Sequence, residues 1–352
     1  MTTRMHTGTV RELVVRELAA RDVPEEDAAA VADALVESTA RGIDTHGVRL
    51  LPRYLDELDQ GIARPRPQMR AVRDAGAAAL LDADSALGPV AGLAAVREAL
   101  PRARRYGVGV VVVRNSNHFG AASVYSRAMA RQGTVGWALT SAASRVAPYG
   151  GRTPLFGTNP ISVAAEGADD EFVLDMASSE VSMGRIQEYG RNGTPLEPGW
   201  AKDARGLAAR TAADAAALTP VGDGYKGQGL GMLVSLLTAA LAGAPLDWEL
   251  DHFGGSPSGR GREVAHFLLC LDPVAFAGPD RFRARLGDLL HATRDAPAVS
   301  GTTVRCPGDP ERDHARDVER HGLPVDPRTA DRLRELARRY GIERALMAPG
   351  RG

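Results

Sequence analysis

Cysteine is scarce: the 352 residues hold two, Cys270 and Cys306, in different segments. That leaves no disulfide framework and no thiolate metal-ligand spacing, and it fits a reducing compartment. No charge sign dominates, since 43 basic residues meet 44 acidic ones for a net charge of −1. A chain without a basic patch is not built for nucleic acid. No stretch of about 18 apolar residues is present to span a bilayer. The first residues, MTTRMHTGTVREL, carry no apolar signal core. The expectation is a cytoplasmic protein with no membrane attachment and no metal. The signatures G-x-x-x-x-G-K-[ST], H-E-x-x-H and G-x-S-x-G are missing too, so those chemistries lack their usual mark.

What remains is a long chain with clear periodicity. It exceeds one small core, so one large domain or two to three intertwined ones are expected. Val10, Leu13, Val14 and Leu18 share a helical face. Asp22 and Pro24 open a second helix, with Glu25, Glu26 and Asp27 at its positive end and a stop near Gly42. Leu51, Leu55 and Leu58 mark a third, ending at Gly61. Residues 1–64 therefore read as a helical domain, packing with C-terminal helices within 307–345. Residues 65–306 read as an α/β region, because strands and helices alternate there.

Within that region, 72–82 reads as a hairpin. Gly88-Pro89 opens a helix that Pro101 should break or kink. Strands are expected at 135–140, 161–165, 172–176, 264–271 and 302–305. Residues 190–207 and 247–262 read as loops, the second mobile, and both as determinants of pocket shape. The apolar helix 228–242 reads as buried, 279–291 as amphipathic, and 310–321 and 327–340 as charged, exposed helices.

The chain is organised around VGVVVVRNSNHFG at 108–120. The run 110–113 is β-branched and apolar, as in a strand buried on both faces. It stops at Arg114, and a helix follows over 121–131. His118 thus falls where a central strand gives way to a helix, the edge at which α/β sheets bind ligands. Asn115 and Asn117 are equally the residues of a simple turn, with His118 as a helix cap.

Gly222-Asp223-Gly224-Tyr225-Lys226-Gly227 satisfies G-x-G-x-x-G, and Asp247 follows twenty residues later. The context argues against a Rossmann start: TAADAAALTPV is no buried strand, and Pro220 would interrupt one. Glycines opening the helix at Gln228 would still let backbone amides and Lys226 approach an anion. A second histidine lies in Ile43-Asp44-Thr45-His46-Gly47-Val48-Arg49. Asp44 and Thr45 can orient its ring, and Arg49 can hold a carboxylate in two-pronged fashion. The same residues also read as an N-cap and a solvated charge.

The blocks RGIDTHGVRLLPRYL at 41–55, NSNHFGAASVYSRAM at 115–129, APYGG at 147–151 and FGTNP at 156–160 change the weighing. So do LDMASSEVSMGRI at 174–186, PGWAKDARG at 198–206, GYKGQGLGMLVSLL at 224–237, VAHFLLCLD at 264–272 and CPGDPE at 306–311. In that order the chain resembles the malate/L-lactate dehydrogenase family of the non-Rossmann type, which includes sulfolactate and ureidoglycolate dehydrogenases and reductases of cyclic imino acids. The resemblance implies an L-sulfolactate dehydrogenase-like α/β fold, with a mixed sheet binding NAD(P)H, a helical N-terminal domain and a homodimer. It implies His46 as proton donor with Thr45 as relay, His118 as second site histidine, and Thr158 as substrate contact. His118, Phe119, Gly120, Ala121, Ala122, Asp175, Met176, Ala177, Tyr225, Lys226, Pro307, Gly308 and Asp309 match cofactor-binding segments.

Two positions depart from the family pattern. Leu50 stands where many members carry arginine, and Arg49 precedes it. Arg185 stands where the malate-like branch has lysine and an imine-reducing branch an acid; it is a second carboxylate candidate and gives a slight lean to NADPH. The expected reaction is hydride transfer between NAD(P)H and a small 2-oxo acid. The alternatives are reduction of a cyclic 2-imino carboxylate, or a catalytically silent dimeric binding protein.

Overall fold

The computed structural model describes residues 2–250 and 261–347. In chain order the elements are β1 (Thr3–Met5), α1 (Thr7–Ala19), α2 (Glu25–Ala40), α3 (Leu51–Asp59), β2 (Arg70–Asp74), β3 (Ala78–Asp82), α4 (Gly88–Tyr106) and β4 (Val108–Ser116). Then come α5 (Ser123–Ala130), β5 (Val135–Thr140), β6 (Ile161–Glu166), β7 (Glu171–Met176), α6 (Met183–Asn192), β8 (Ala201–Lys202), β9 (Ala217–Leu218) and α7 (Tyr225–Ser235). The chain closes with β10 (Val264–Leu271), α8 (Pro279–Arg294), α9 (Asp309–His321), β11 (Leu323–Val325) and α10 (Pro327–Arg338).

A seven-stranded sheet runs β2-β3-β4-β10-β5-β6-β7. Only β3 and β4 pair in parallel, so the sheet is mixed, as expected. The valine run of β4 serves two cores, because alternate strand residues face opposite sides. Val111 and Val113 join the large core with α1, α2, α4 and α10, while Val112 packs with Val234, Ala239 and Phe267 on the other face. Strand β1 pairs antiparallel with β11, with Met5 opposite Leu323. The helical layer is thus built from both ends of the chain.

Several expectations are corrected. Helix α4 runs unbroken through Pro101. Both Pro101 and Arg97, four residues earlier, are exposed, so water can serve the carbonyl that loses its partner. Strand β4 does not stop at Arg114 but continues to Ser116, since Asn115 takes a left-handed φ of +55° and Ser116 still pairs with Val264. The expected loop over 190–207 begins inside α6 and packs Leu196 and Ala201 into a small core of its own. Residues 302–305 form no strand, because no neighbouring edge pairs with them. Helix α10 is amphipathic rather than exposed, burying Leu333 and Leu336.

The apolar helix at 228–242 is α7 followed by a π-helical turn at Leu236–Ala240. It is not buried all round: Met232, Leu233, Leu236 and Leu241 are each between 41% and 59% exposed. Of the expected mobile loop, Asp247 is buried in a short helical turn and Arg262 is buried as well; residues 251–260 lie outside the described residues. Among the described residues no helix is long and apolar enough to cross a membrane.

Candidate active site

His46 owes its place to a tight corner after α2. Gly42 turns the chain at φ +76°, and Ile43 N donates back to Ser38 O. The Thr39 hydroxyl accepts from Val48 N at 2.9 Å. Gly47 lets this happen, because a Cβ there would lie 2.0 Å from the Thr39 Oγ1. His46 is therefore presented between two packed helices on a short 3₁₀ turn, and Arg49 on the next.

His118 is fixed from the sheet side. Asn117 is fully buried; its amide donates to Ser85 O and Ala86 O, and its oxygen accepts from Arg262 N. The two asparagines form a clamp rather than a free turn. Gly88 at the start of α4 presses directly on this segment: a Cβ on it would lie 1.9 Å from the His118 carbonyl oxygen. No side chain fits there.

These two constructions bring 46 and 118 together. The rings stack with centroids 5.7 Å apart and planes 5° from parallel. Each Nδ1 meets a hydroxyl: Thr45 Oγ1 lies 2.9 Å from His46 Nδ1, and the Tyr54 hydroxyl 3.0 Å from His118 Nδ1. Burial, reinforced by the Glu57 carboxylate, pushes the Tyr54 hydroxyl well above its usual range, so it stays a protonated donor. Burial also lowers His46 to about 4, aided by Arg49 and Arg53. His118 is depressed in the same direction, by burial first and Arg53 next. Both rings are neutral at pH 7.

Both line a cavity of about 360 Å³, within the range of small-molecule sites. Thr45, Arg49, Gly120, Thr158 and Val264 line it too. Sequence reasoning missed three further arginines in its wall: Arg53, Arg145 and Arg262. Arg53, four residues after Arg49, could have been read from helical spacing. Arg145 and Arg262 come from distant loops and carry no local signal. Arg53 and Arg262 both share Glu57, while Arg49 forms no ion pair among the described residues. No Asp or Glu lines this cavity among those residues.

The remaining candidates divide. Arg185 does not line this cavity; it pairs with Glu188 at 3.1 Å, stacks on Tyr189 and faces a neighbouring cavity of about 910 Å³. That second cavity shares Thr45, Arg49, Ser182 and Gly184 with the first. Ala121 and Ala122 are buried where α5 begins, and Asp175 accepts from Ser123 N at that helix start. Pro307 O accepts from Val173 N, which places the Pro307–Gly308 corner beside the strand bearing Asp175 and Met176. Ser178, just after Ala177, accepts from Val221 N ahead of exposed Tyr225 and Lys226. The expected cofactor segments therefore gather around the end of β7. Asp309 is already engaged: Arg294, Arg312 and Cys306 N use both its oxygens.

The ground beside His118 suits the nicotinamide end of a dinucleotide. Gly120, at φ +78°, presents bare backbone to the cavity beside His118 and continues toward the start of α5. Among the described residues there is no metal-ligand cluster. The G-x-G-x-x-G segment does not form a Rossmann turn; only the two-residue β9 precedes it, and Asp247 is an interior group.

The profile of the malate/L-lactate dehydrogenase family matches residues 5–334. The chain is 33% identical to malate dehydrogenase of Pyrococcus horikoshii over 342 residues, covering 94% of this chain and 93% of that one. Its fold superposes on sulfolactate dehydrogenase from Methanocaldococcus jannaschii with a TM-score of 0.89 at 30% identity, covering 97% and 98% of the two chains. It also matches Δ1-piperideine-2-carboxylate reductase from Pseudomonas syringae pv. tomato, with a TM-score of 0.83, 29% identity, and 96% and 100% coverage.

Proposed function

The chain belongs to the malate/L-lactate dehydrogenase family of NAD(P)-dependent oxidoreductases, and we propose that it interconverts a small 2-oxo acid and its 2-hydroxy acid. The observation that carries this reading is the parallel imidazole pair in a cavity walled by arginines and, among the described residues, free of carboxylates. The nicotinamide supplies or takes the hydride when bound. His46 moves the proton at the substrate oxygen, with Thr45 holding its Nδ1. His118 and Thr158 give hydrogen bonds to the charge that develops there. Arg49, which has no ion pair among the described residues, grips the carboxylate and aligns the carbon.

The neutral His46 ring is ready to accept a proton in the oxidative direction. Reduction needs it protonated. A carboxylate beside Arg49 and Arg53 offsets the part of the depression that those arginines add to burial, so an anionic substrate raises the basicity of its own acid. A protonated cyclic imine brings a positive charge to the reacting carbon. A wall with four arginines, two of them paired with Glu57, and no acid among the described residues opposes that charge, which favours C=O over C=N. A silent binding protein has no need for two aligned rings. The working form is a homodimer, a reading supported by the apolar face of α7 and its π-helical turn. Arg185 lends the lean to NADPH no support while Glu188 holds it.

His46→Ala tests the reading. Turnover with a 2-oxo acid should fall by about 10² or more, while NAD(P)H affinity by fluorescence titration is kept. Turnover near that of the wild type removes His46 from the mechanism.

A further inference from the structure

Asp247 has no role in the chemistry above. Yet it is 1% exposed, carries no ion pair among the described residues, and is gripped by three donors. All three meet one oxygen. Asp247 Oδ2 accepts from Gly157 N at 2.9 Å, from Asn159 Nδ2 at 2.7 Å and from the Ser235 hydroxyl of α7 at 2.9 Å. The first two donors belong to the residues on either side of Thr158. The other carboxylate oxygen, Oδ1, has no partner among the described residues although it is buried.

The surrounding contacts concern the same loop. Asn159 sits at φ +36°, a conformation that needs outside support in a residue other than glycine. Its own oxygen accepts from Ala142 N, and Ala142 lines the cavity. The Asp247 carbonyl accepts from Ser144 N, two residues on. The Thr158 carbonyl accepts from Ser178 N and the Ser178 hydroxyl, so the peptide is pinned on its far side. The Thr158 hydroxyl finds no acceptor or donor among the described residues, and Thr158 lines the cavity.

We propose that Asp247 is a positioning residue: by holding the backbone before and the side chain after Thr158, it aims the Thr158 hydroxyl at the substrate. This rests on the reading of Thr158 as a substrate contact. Burying a carboxylate without a cation is costly. Here three donors offset that cost, and two of them are the neighbours of Thr158. The single engaged oxygen makes a specific forecast, because an asparagine can place its carbonyl where Oδ2 is and its amide where Oδ1 has no partner.

The experiment is a double-mutant cycle with a 2-oxo acid and saturating NAD(P)H. T158V and D247A should each lower kcat/KM by about 10- to 100-fold, since small misplacements near a reacting centre cost that much. The fall in D247A should lie chiefly in kcat, with the dissociation constant for NAD(P)H unchanged. The double variant should be no worse than T158V alone, because the aim of a missing hydroxyl is irrelevant. D247N should recover most of the loss. Should D247A not fold, S235A takes its place in the cycle. Additive losses, or a D247N as impaired as D247A, overturn the positioning role while leaving Thr158 as a contact. A T158V enzyme of full activity overturns the contact itself, and the proposal with it.

Discussion

Three imidazoles lie within one patch of this molecule, and they make an instructive contrast. His46 and His118 line the cavity; His266, on β10, is fully buried behind it. His266 bonds Ser116 and Thr140 through its two nitrogens, each at 2.8 Å, and Phe119 stacks on it. Burial takes His266 to about 3 and His46 to about 4. Depressed basicity and hydroxyl partners are therefore common to the cavity-lining pair and the sealed ring. What separates them is the other nitrogen. His266 has both engaged, whereas His46 and His118 each give Nδ1 to a hydroxyl and turn an edge to a void. A buried histidine is a candidate only where its second nitrogen has somewhere to go.

The contrast can be broken most forcefully by removing rings. A His46→Ala/His118→Ala enzyme should lose about 10³-fold or more in kcat, and less than the product of the single losses, since the two act as a unit. His266→Ala should instead cost about 2–4 kcal/mol of stability, from a cavity and the stranded Ser116 hydroxyl, since Thr140 keeps the Ser141 carbonyl as acceptor. Its kcat per folded molecule should be unchanged. A His266→Ala enzyme that folds well and turns over slowly would erase the distinction.

Next in size, Arg49→Ala should raise KM for a carboxylate substrate about tenfold or more, with little change in NAD(P)H affinity. An unchanged KM moves the carboxylate to Arg53, Arg145 or Arg262. Smaller again is a pH effect shared by all three rings. Each releases its proton on folding, so the native state is favoured fully above the unfolded value of 6.5. Stability should decline as pH falls from 6.5 toward about 4, the folded value of His46. Urea midpoints between those pH values check it, and His266→Ala should flatten the decline. Oxidative kcat/KM should stay level through most of that interval and fall only as pH nears about 4, where His46 takes up its proton.

The sheet strands were readable because β-branched runs such as 110–113 need no tertiary help to declare themselves. The convergence of His46 and His118 came from ordered motif blocks, not from periodicity. What escaped had a physical reason. Three residues, Leu323–Val325, are too few to announce a strand, and β1 is their partner only through the finished fold. Pro101 does not end its helix, because it and Arg97 both face solvent where the lost hydrogen bond can be made to water. The helix at 228–242 was apolar enough to suggest an interior, but composition does not say against what it packs. Arg145, Arg262 and Asp247 reach the site through loops whose spacing in sequence bears no relation to distance in space.

The pairing of β1 with β11 also sets a clock on synthesis. Residues 3–5 wait for residues 323–325 before the layer that carries His46 is closed. A ribosome must deliver residue 325 before that seam can form. The corner that holds His46 therefore belongs to a layer whose seam joins residues more than 300 positions apart.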